Sequence, residues 1–478
     1  MLSINGRNRR LCDGFTRRDT LQIGGLGALG VALPDVLRQR ASAQEAAAQA
    51  SIPRATPGKA EACILVYLFG GPSQLDTFDM KPEAASDFRG EFRPIDTATP
   101  GVRICEHLPL LARQTDKFAI VRSMHHLHPR HGYGLYYMFT GREHARPDLD
   151  AQPAPDDYPS LGAMVARARG PRADFPPAVT LPRWNRFLDL PAEYAGEVAG
   201  FLGKNFDPWL IKADKTGTQF AVSGIELPGG ISVDRLSARR SLLAEFNGQL
   251  GRLADCEQLD QLDALYRQAF SIVASPRARQ AFDLESEPAG LRDQYGREPF
   301  GQGMLLSRRL VEAGATLVTV NWHDDGRDVK SPFWDTHKDN FATLKKTLLP
   351  PFDRALSALL SDLDARGMLD STLVVVMGEF GRTPRIGRVV MNAATNASGR
   401  DHWPHAYSVL LAGGGIRGGQ VYGRSDEIAG FVADSGVTPP DLVATVLWSL
   451  GIDPGQKIID RQGRPQLLAT GRPMVELT

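Results

Sequence analysis

Five continuous apolar runs recur along the chain and predict the strands of a buried sheet. They lie at residues 62–69, 118–121, 316–320, 372–377 and 407–411. In these runs apolar side chains mostly follow one another without alternating with polar ones, which is typical of strands buried on both faces of a parallel sheet. We therefore expect a mainly parallel sheet at the centre of the molecule.

Amphipathic segments between and after these runs predict helices. They cover residues 238–281, 304–313, 353–366 and 438–450. The last of them opens with Thr-Pro-Pro-Asp and is followed by a glycine, which are common helix start and stop signals. Helices that alternate with apolar strands indicate an α/β fold. The region from about 143 to 300 shows little such alternation, so we interpret it as an inserted loop and helical region.

The first 43 residues have the ordered features of an export signal. Arg17 and Arg18 form a twin-arginine pattern, residues 23–34 are mildly apolar, and Ala-Ser-Ala at 41–43 fits a cleavage site. A basic disordered tail is the alternative interpretation. We expect the twin-arginine machinery to export the protein to the periplasm or the extracellular space. Residues 44–61 read as a linker, and residues 62–470 as the folded domain.

The zero formal net charge of the chain is the sum of two unlike parts. The 478 residues include 55 Lys and Arg and 55 Asp and Glu. The signal carries seven Arg and three Asp, a net charge of +4, so the rest of the chain carries −4. This balance argues against a dedicated nucleic-acid binder. No run of about 18 apolar residues follows the signal, so we expect no integral membrane segment in the mature chain.

Histidines are unevenly distributed: five of the ten lie between residues 125 and 144, and others occur in two polar segments that contain aspartate and lie close to apolar runs. In WDTH at residues 334–337, an extended backbone would direct Asp335 and His337 to the same side. In GRDHWPH at residues 399–405, Asp401 and His402 are adjacent, so one could bind a metal ion while the other orients it. A solvent-exposed loop pair is the alternative in each case.

Other polar residues follow strand ends, where functional groups of open α/β sheets gather. Glu379 follows the run at 372–377 and is placed for a cation, whereas Arg382 and Arg400 could hold an anion. Asp76 follows the first run, where an Asx turn is the alternative. Mixed carboxylate and imidazole ligands suit Zn, Mn or Fe better than Ca or Mg alone, and such ions could polarise an ester.

Seven ordered motifs carry a resemblance to a known family. They are LFGGPSQLDTFDMKP from residue 68, GEFRPI from 90, IVRSMHH from 120, FGQGMLLSRRLVEAGA from 300, WDTH from 334, MGEFGRTP from 377 and GRDHWPHAYSVLLAGGGIRGG from 399. With these motifs the chain resembles a twin-arginine-exported family, domain of unknown function fifteen-oh-one. That family is similar to the alkaline phosphatase and sulfatase superfamily.

This resemblance implies an alkaline phosphatase-like fold, a mostly parallel mixed sheet sandwiched by helices. It also implies a site for one or two divalent ions (Zn, Mn or Ca) and a phosphate- or sulfate-ester substrate. Residues and resemblance together give the leading hypothesis, an exported metal-dependent hydrolase of such esters. Its candidate metal ligands are Asp76, Asp335, His337, Glu379, Asp401 and His402.

The superfamily pattern is incomplete in this chain. Its nucleophile usually stands shortly before a Thr-Gly turn, and counting back from Gly141 reaches His131 rather than Ser, Thr or Cys. His131 is therefore a candidate catalytic residue by its position alone. Phe380 stands where the superfamily usually has a histidine. Ser123 is a fallback nucleophile, together with Ser73 and Thr383, and a metal-activated water is a further alternative. The alternative function is a non-catalytic exported binding or assembly protein on a sulfatase-like scaffold.

Overall fold

The computed structural model describes residues 58–146, 151–170, 175–186, 193–213, 220–221, 276–322, 333–392 and 394–478. These residues all belong to one compact unit. The predicted signal at 1–43, most of the predicted linker and most of the predicted helix at 238–281 lie outside the described residues. Within the described residues no helix is long and apolar enough to cross a membrane.

Eighteen strands, most of them short, occur in the described residues. In chain order they are β1 (Ala62–Tyr67), β2 (Pro94–Asp96), β3 (Arg103–Cys105), β4 (Phe118–Met124), β5 (Ala178–Leu181), β6 (Trp209–Leu210), β7 (Lys212–Ala213), β8 (Phe220–Ala221), β9 (Leu317–Asn321), β10 (Thr372–Met377), β11 (Gly381–Arg382), β12 (His402–Trp403), β13 (Tyr407–Ala412), β14 (Val421–Tyr422), β15 (Arg424–Ser425), β16 (Val432–Asp434), β17 (Lys457–Ile459) and β18 (Pro465–Leu467).

Ten α-helices accompany them in the described part of the chain. They are α1 (Ser86–Arg89), α2 (Pro109–Ala112), α3 (His131–Thr140), α4 (Leu161–Arg169), α5 (Pro276–Phe282), α6 (Ala289–Tyr295), α7 (Pro299–Ala313), α8 (Asn340–Thr343), α9 (Leu349–Ala365) and α10 (Pro439–Ser449). A π-helical turn, Leu344–Leu348, joins α8 to α9.

Eight of the strands form the central sheet, in the order β14-β4-β13-β10-β1-β9-β5-β6. Strand β13 runs antiparallel to its neighbours β10 and β4, and every other neighbouring pair in the sheet is parallel. Helix α7 packs against β9 and β1, and α4 packs against β5 and β9. The predicted mostly parallel mixed sheet with flanking helices is therefore confirmed.

The central strands are buried on both faces, which explains their continuous apolar sequences. Every residue of β1 and of β10 is buried, and the two strands pair in register from Ala62 opposite Thr372 to Tyr67 opposite Met377. The five apolar runs of the sequence correspond to β1, β4, β9, β10 and β13. Burial of these side chains is the main favourable contribution to folding of the sheet.

Two parts of the structure differ from the pattern seen in the sequence. The region from about 143 to 300, interpreted as loops and helices, also supplies β5 and β6 of the central sheet; these strands have four and two residues, too few to form a recognisable run. The polar segment after β4 continues into α3, which is buried along nearly its whole length. A helix buried all round lacks the amphipathic pattern that would predict it.

Strand direction brings distant segments to one edge of the sheet. The parallel strands β1, β4, β9 and β10 all end at this edge, and the antiparallel strand β13 begins there. The segments that follow the four strands and precede the fifth contain the candidate residues. In open α/β sheets this edge is where ligands bind.

Candidate metal centre

Four side chains meet at this edge of the sheet. They are His131, Asp335, His337 and His402, and one ligand atom from each lies within 4.8 Å of the others. His131 is the first residue of α3, which follows β4. Asp335 and His337 belong to the segment after β9, and His402 lies in β12, just before β13. Three of these residues were predicted as metal ligands and His131 as a catalytic residue.

Local packing explains how these segments come so close. Gly70, after β1, has a φ of +114°, and a Cβ atom at this position would lie 2.4 Å from the backbone nitrogen of Asp335. Only glycine tolerates both this backbone conformation and this approach. On the other side, β12 pairs with β11, which places His402 opposite Arg382.

The imidazole Nε2 atoms converge on the Oδ1 atom of Asp335. The distances to this oxygen are 2.9 Å from His337, 3.2 Å from His402 and 3.5 Å from His131. The Nε2 atoms of His337 and His402 are 2.9 Å apart. Three imidazole nitrogens and a carboxylate oxygen therefore surround one small volume.

The other ring nitrogens of two of these histidines are held by strong acceptors. Nδ1 of His131 donates a hydrogen bond to Oε1 of Glu379 over 2.6 Å. Nδ1 of His402 donates to the carbonyl oxygen of Pro129 over 2.6 Å. Because neither acceptor can donate a proton, each Nδ1 carries a hydrogen, and Nε2 is the ring atom that can present a lone pair to the shared volume.

His337 is oriented in the same way by a hydroxyl group. Its Nδ1 lies 3.0 Å from Oγ1 of Thr395, and that hydroxyl donates its own hydrogen to the carbonyl oxygen of Asn392 over 2.8 Å. The hydroxyl therefore accepts from His337, whose Nε2 again presents a lone pair. Three buried imidazole Nε2 atoms around one carboxylate favour a positive charge among them, either a proton on a ring or a metal ion. This donor set fits a metal ion, with every imidazole anchored as metal-binding histidines usually are.

The pKa values of the clustered side chains are shifted by burial and by the charges of their neighbours. Burial lowers the pKa of His131, but the carboxylates of Asp335 and Glu379 outweigh burial and raise it to about 9. Burial and the positive charge of His131 lower the pKa of His402 to about 3. Burial raises the pKa of Asp335, but Arg382 and His131 hold it well below its usual range. The carboxylate is thus ionised and available to a cation.

Arg382 was predicted to hold an anion, and the structure places it behind Asp335. Its guanidinium is fully buried and lies 2.5 Å from Oδ1 of Asp335. The same group donates hydrogen bonds to the carbonyl oxygens of Gly71 at 2.9 Å and of Trp334 and Arg400 at 3.1 Å. With its nitrogens engaged in this way, Arg382 fixes the carboxylate and reduces the negative charge of the site.

Glu379 and Asp401, both predicted as ligands, lie one layer behind the cluster. Oε1 of Glu379 accepts from Nδ1 of His131 and from the backbone nitrogen of Gly70. Asp401 accepts from the backbone nitrogen of His402 at 2.7 Å and from the nitrogens of residues 390–392 at 2.6 to 2.9 Å. These carboxylates orient the histidines and the loop around them rather than facing the shared volume.

Asp76 and Arg400 pair with each other, away from the cluster. Arg400 contacts both carboxylate oxygens of Asp76 at 2.8 and 3.1 Å, and both side chains are fully buried. Asn340 and Ser73 also donate to Asp76, at 2.9 and 2.6 Å. The predicted metal ligand and the predicted anion-binding arginine thus neutralise each other as a buried structural pair.

The fallback nucleophiles are also engaged elsewhere. The hydroxyl of Ser123 donates to the carbonyl oxygen of Ser435 at 2.6 Å, and that of Ser73 donates to Asp76. The hydroxyl of Thr383 accepts from the backbone nitrogen of Asp401 at 3.0 Å. None of these residues belongs to the group of four.

Sequence reasoning missed the residues that orient the histidines. Pro129 acts through its carbonyl oxygen, so its side chain gives no signal. Its approach to His402 follows from a backbone hydrogen bond, 2.9 Å long, between His126 and Pro404. Thr395 lies 58 residues from His337, and no spacing in the sequence connects the two.

Comparison with known proteins identifies a family. Solved structures similar to this chain include a sulfatase from Pseudoalteromonas sp. (12% identity, covering 87% of this chain and 71% of that chain, TM-score 0.35). They also include a protein in the alkaline phosphatase superfamily from Vibrio parahaemolyticus (11%, 87% and 71%, 0.35) and a phosphonate monoester hydrolase from Silicibacter pomeroyi (13%, 86% and 76%, 0.34). No curated protein matches the chain. Residues 60–477 match the family described as "Protein of unknown function (DUF1501)", so the chain belongs to the family that its seven motifs indicate.

Proposed function

We propose that this protein is an exported metal-dependent hydrolase of phosphate or sulfate esters. The observation that carries the proposal is the convergence of three imidazole Nε2 atoms on the carboxylate of Asp335 at the ligand-binding edge of the sheet. This set of nitrogen and oxygen donors suits Zn or Mn better than Ca.

Different residues of the chain have different roles in this proposal. His131, Asp335, His337 and His402 hold the ion, and a bound divalent ion supplies Lewis-acid polarisation of an ester and a lowered pKa of water. Glu379 keeps the His131 ring in its binding orientation. The sheet edge and the buried rings around the cluster, such as Phe380 against His131 and His402, limit access of bulk water.

Water is the nucleophile that this arrangement favours. The hydroxyls of Ser73, Ser123 and Thr383 are engaged in hydrogen bonds elsewhere. His131, at the position where the superfamily resemblance implies a nucleophile, contributes to the donor set instead. Hydrolysis by a metal-activated water needs no covalent intermediate on the protein.

A non-catalytic metal-binding protein is the second candidate function, and one observation favours it. The cluster supplies four protein ligands, and closed four-ligand sites are typical of structural zinc, whereas catalytic zinc usually has three protein ligands and a water. In that case the ion would stabilise a binding or assembly protein on the same scaffold.

The test is metal analysis combined with an ester panel. The purified protein is analysed for bound metal, then assayed on p-nitrophenyl phosphate, bis-p-nitrophenyl phosphate, p-nitrophenyl sulfate and phenylphosphonate esters, with and without added Zn, Mn or Ca. We expect bound metal and hydrolysis of at least one ester that is lost in a His402→Ala variant. Bound metal with no activity on any ester would favour the binding protein, and a protein inert and metal-free under all conditions would contradict both.

A further inference from the structure

A cavity lies towards the carboxyl-terminal end of α3, away from the proposed metal centre. Its volume is about 590 Å³, within the range of small-molecule sites in proteins. Its walls come from the end of α3, the segment after it, residues 156–158 and the β17–β18 hairpin. We infer that this cavity binds a neutral saccharide, a function independent of the proposed hydrolysis.

The cavity is separate from the metal centre. None of the four clustered residues lines it. Both sites use α3, but His131 and Tyr136 are five residues apart, so their side chains leave the helix about 140° apart at 3.6 residues per turn. Arg142 and His144, which also line the cavity, come after the helix has ended.

One part of the wall is aromatic. Tyr136, Tyr158 and Phe201 line the cavity, and the rings of Tyr158 and Phe201 pack edge to face with centroids 5.2 Å apart. Arg142 stacks over the Tyr158 ring at 4.7 Å, which holds that ring in place. Rigid aromatic rings with a polar end suit a ligand that has an apolar face and a polar rim. The C–H face of a pyranose ring and its hydroxyl groups have this distribution.

The hairpin part of the wall presents side chains with both donors and acceptors. Arg464 and Gln466 both donate to Oδ2 of Asp460, at 2.8 and 3.1 Å, and Arg464 also donates to Gln462 at 3.2 Å. This network fixes the orientation of the amides and the guanidinium before a ligand arrives. Sugar hydroxyls both donate and accept, so they match a wall that mixes the two.

The charges of the wall favour a neutral ligand over an anion. The lining contains three arginines and four carboxylates, namely Arg142, Arg146, Arg464, Glu143, Asp156, Asp157 and Asp460. Their formal sum is −1, with histidine taken as neutral. An anionic ligand would therefore meet net repulsion as well as the loss of its hydration. The metal centre, by contrast, draws its ligand through a positive ion, so the two sites select different chemistry.

The experiment titrates the full-length protein by calorimetry with lactose, maltose and cellobiose, and with galacturonate as the anionic probe. We expect at least one neutral disaccharide to bind. A double variant, Asp156→Ala with Gln462→Ala, should weaken that binding at least tenfold. Asp156 and Gln462 are exposed at the cavity wall, so this variant should fold normally.

Two controls separate this inference from the proposed hydrolase function. Glu427→Gln changes an exposed carboxylate outside the cavity and should leave disaccharide binding unchanged. His402→Ala, which removes a metal ligand, should also leave it unchanged. The inference is overturned if no neutral disaccharide binds, if galacturonate binds more tightly than every neutral sugar, or if the cavity variant binds as the unmodified protein does.

Discussion

At the residue scale, the proposed metal centre depends on the hydrogen-bond acceptor at the Nδ1 atom of each histidine. A carboxylate holds His131, a backbone carbonyl holds His402 and a hydroxyl holds His337. All three acceptors hold a hydrogen on Nδ1, so Nε2 of each ring is the atom that faces Asp335 and can bind an ion. Three different kinds of acceptor at Nδ1 therefore orient the three Nε2 atoms towards the same carboxylate.

The first prediction compares two histidines of the same loop. His402→Ala removes one of four metal ligands and should reduce bound metal at least tenfold, because the remaining donors no longer complete the site. His405→Ala is the matched control, because His405 packs edge to face with Trp403 and lies outside the cluster. The metal content of this variant should match that of the unmodified protein. Inductively coupled plasma mass spectrometry measures both. Equal loss in both variants would show that folding of the loop, not ligation, was affected.

The second prediction concerns the carboxylate behind His131. Glu379→Gln preserves the size of the side chain and weakens the acceptor for Nδ1. Such changes behind a metal-binding histidine typically lower metal affinity by about 10- to 100-fold. Competition with a chromogenic chelator would measure the dissociation constant. An unchanged dissociation constant would show that Glu379 does not orient His131 for the ion.

Residue types and spacings identified part of this centre. They could not distinguish residues that face the shared volume from residues that orient them. Asp335 and His337 were paired through their two-residue spacing, which the structure brings to one volume. Asp401 and Glu379 look equally suitable in the sequence, yet backbone N–H groups occupy the oxygens of Asp401. Which lone pairs the backbone occupies depends on the fold of distant segments, and no local pattern contains that information.

At the element scale, the sequence predicts the long buried strands but not the short strands or the fully buried helix. The strands β1 and β10 were predicted from their apolar runs because burial on both faces imposes such a run. The short strands β5 and β6 were not predicted. They are stabilised by pairing with neighbouring strands of the sheet, and this pairing requires no long apolar run in their own sequences. Helix α3 escaped prediction because its burial leaves no polar face.

A buried ion network joins α7 to α9 and supports the third prediction. Arg308 on α7 is fully buried and contacts Asp362 on α9 at 2.9 Å and Glu287 at 2.8 Å. Asp362→Ala removes one carboxylate partner of the guanidinium while Glu287 remains, and a hydrogen bond to a charged group typically contributes about 1.5 to 3 kcal/mol. Urea denaturation should show this loss in the free energy of unfolding.

The control for this network is a neighbouring aspartate on the same helix. Asp364 is exposed and pairs with Lys117 at the surface, and such pairs contribute about 1 kcal/mol or less. Asp364→Ala should therefore change the unfolding free energy far less than Asp362→Ala. Similar values for the two variants would mean that the buried network does not hold α7 to α9.

At the scale of the whole molecule, the metal centre joins segments that are far apart in the chain. The ligands come from the segment after β4, the segment after β9 and the segment before β13. An ion bound to all of them is bound by the folded chain and not by the unfolded one. Metal binding should therefore stabilise the fold as a unit.

The fourth prediction follows from this linkage. At a free metal concentration 100 times the dissociation constant, binding adds about 2.7 kcal/mol to the free energy of unfolding. Removing the ion with a chelator should lower Tm by several degrees, on the order of 5 °C, as measured by calorimetry. The His402→Ala variant should show a smaller decrease with chelator, because less ion is bound to it. An unchanged Tm after verified metal removal would contradict the role of the ion in stability.

The last prediction concerns export of the folded domain by the amino-terminal segment. The twin-arginine route carries proteins that are already folded, so the proposed export requires that the ion-linked domain form before transport. Arg17→Lys with Arg18→Lys removes the paired arginines while keeping the charge of the segment. Fractionation should find this variant in the cytoplasm and the unmodified protein outside it, whereas a separate variant, Ala50→Ser beyond the predicted signal, should be exported normally. Equal export of the double-lysine variant would show that the twin-arginine pattern does not direct this protein.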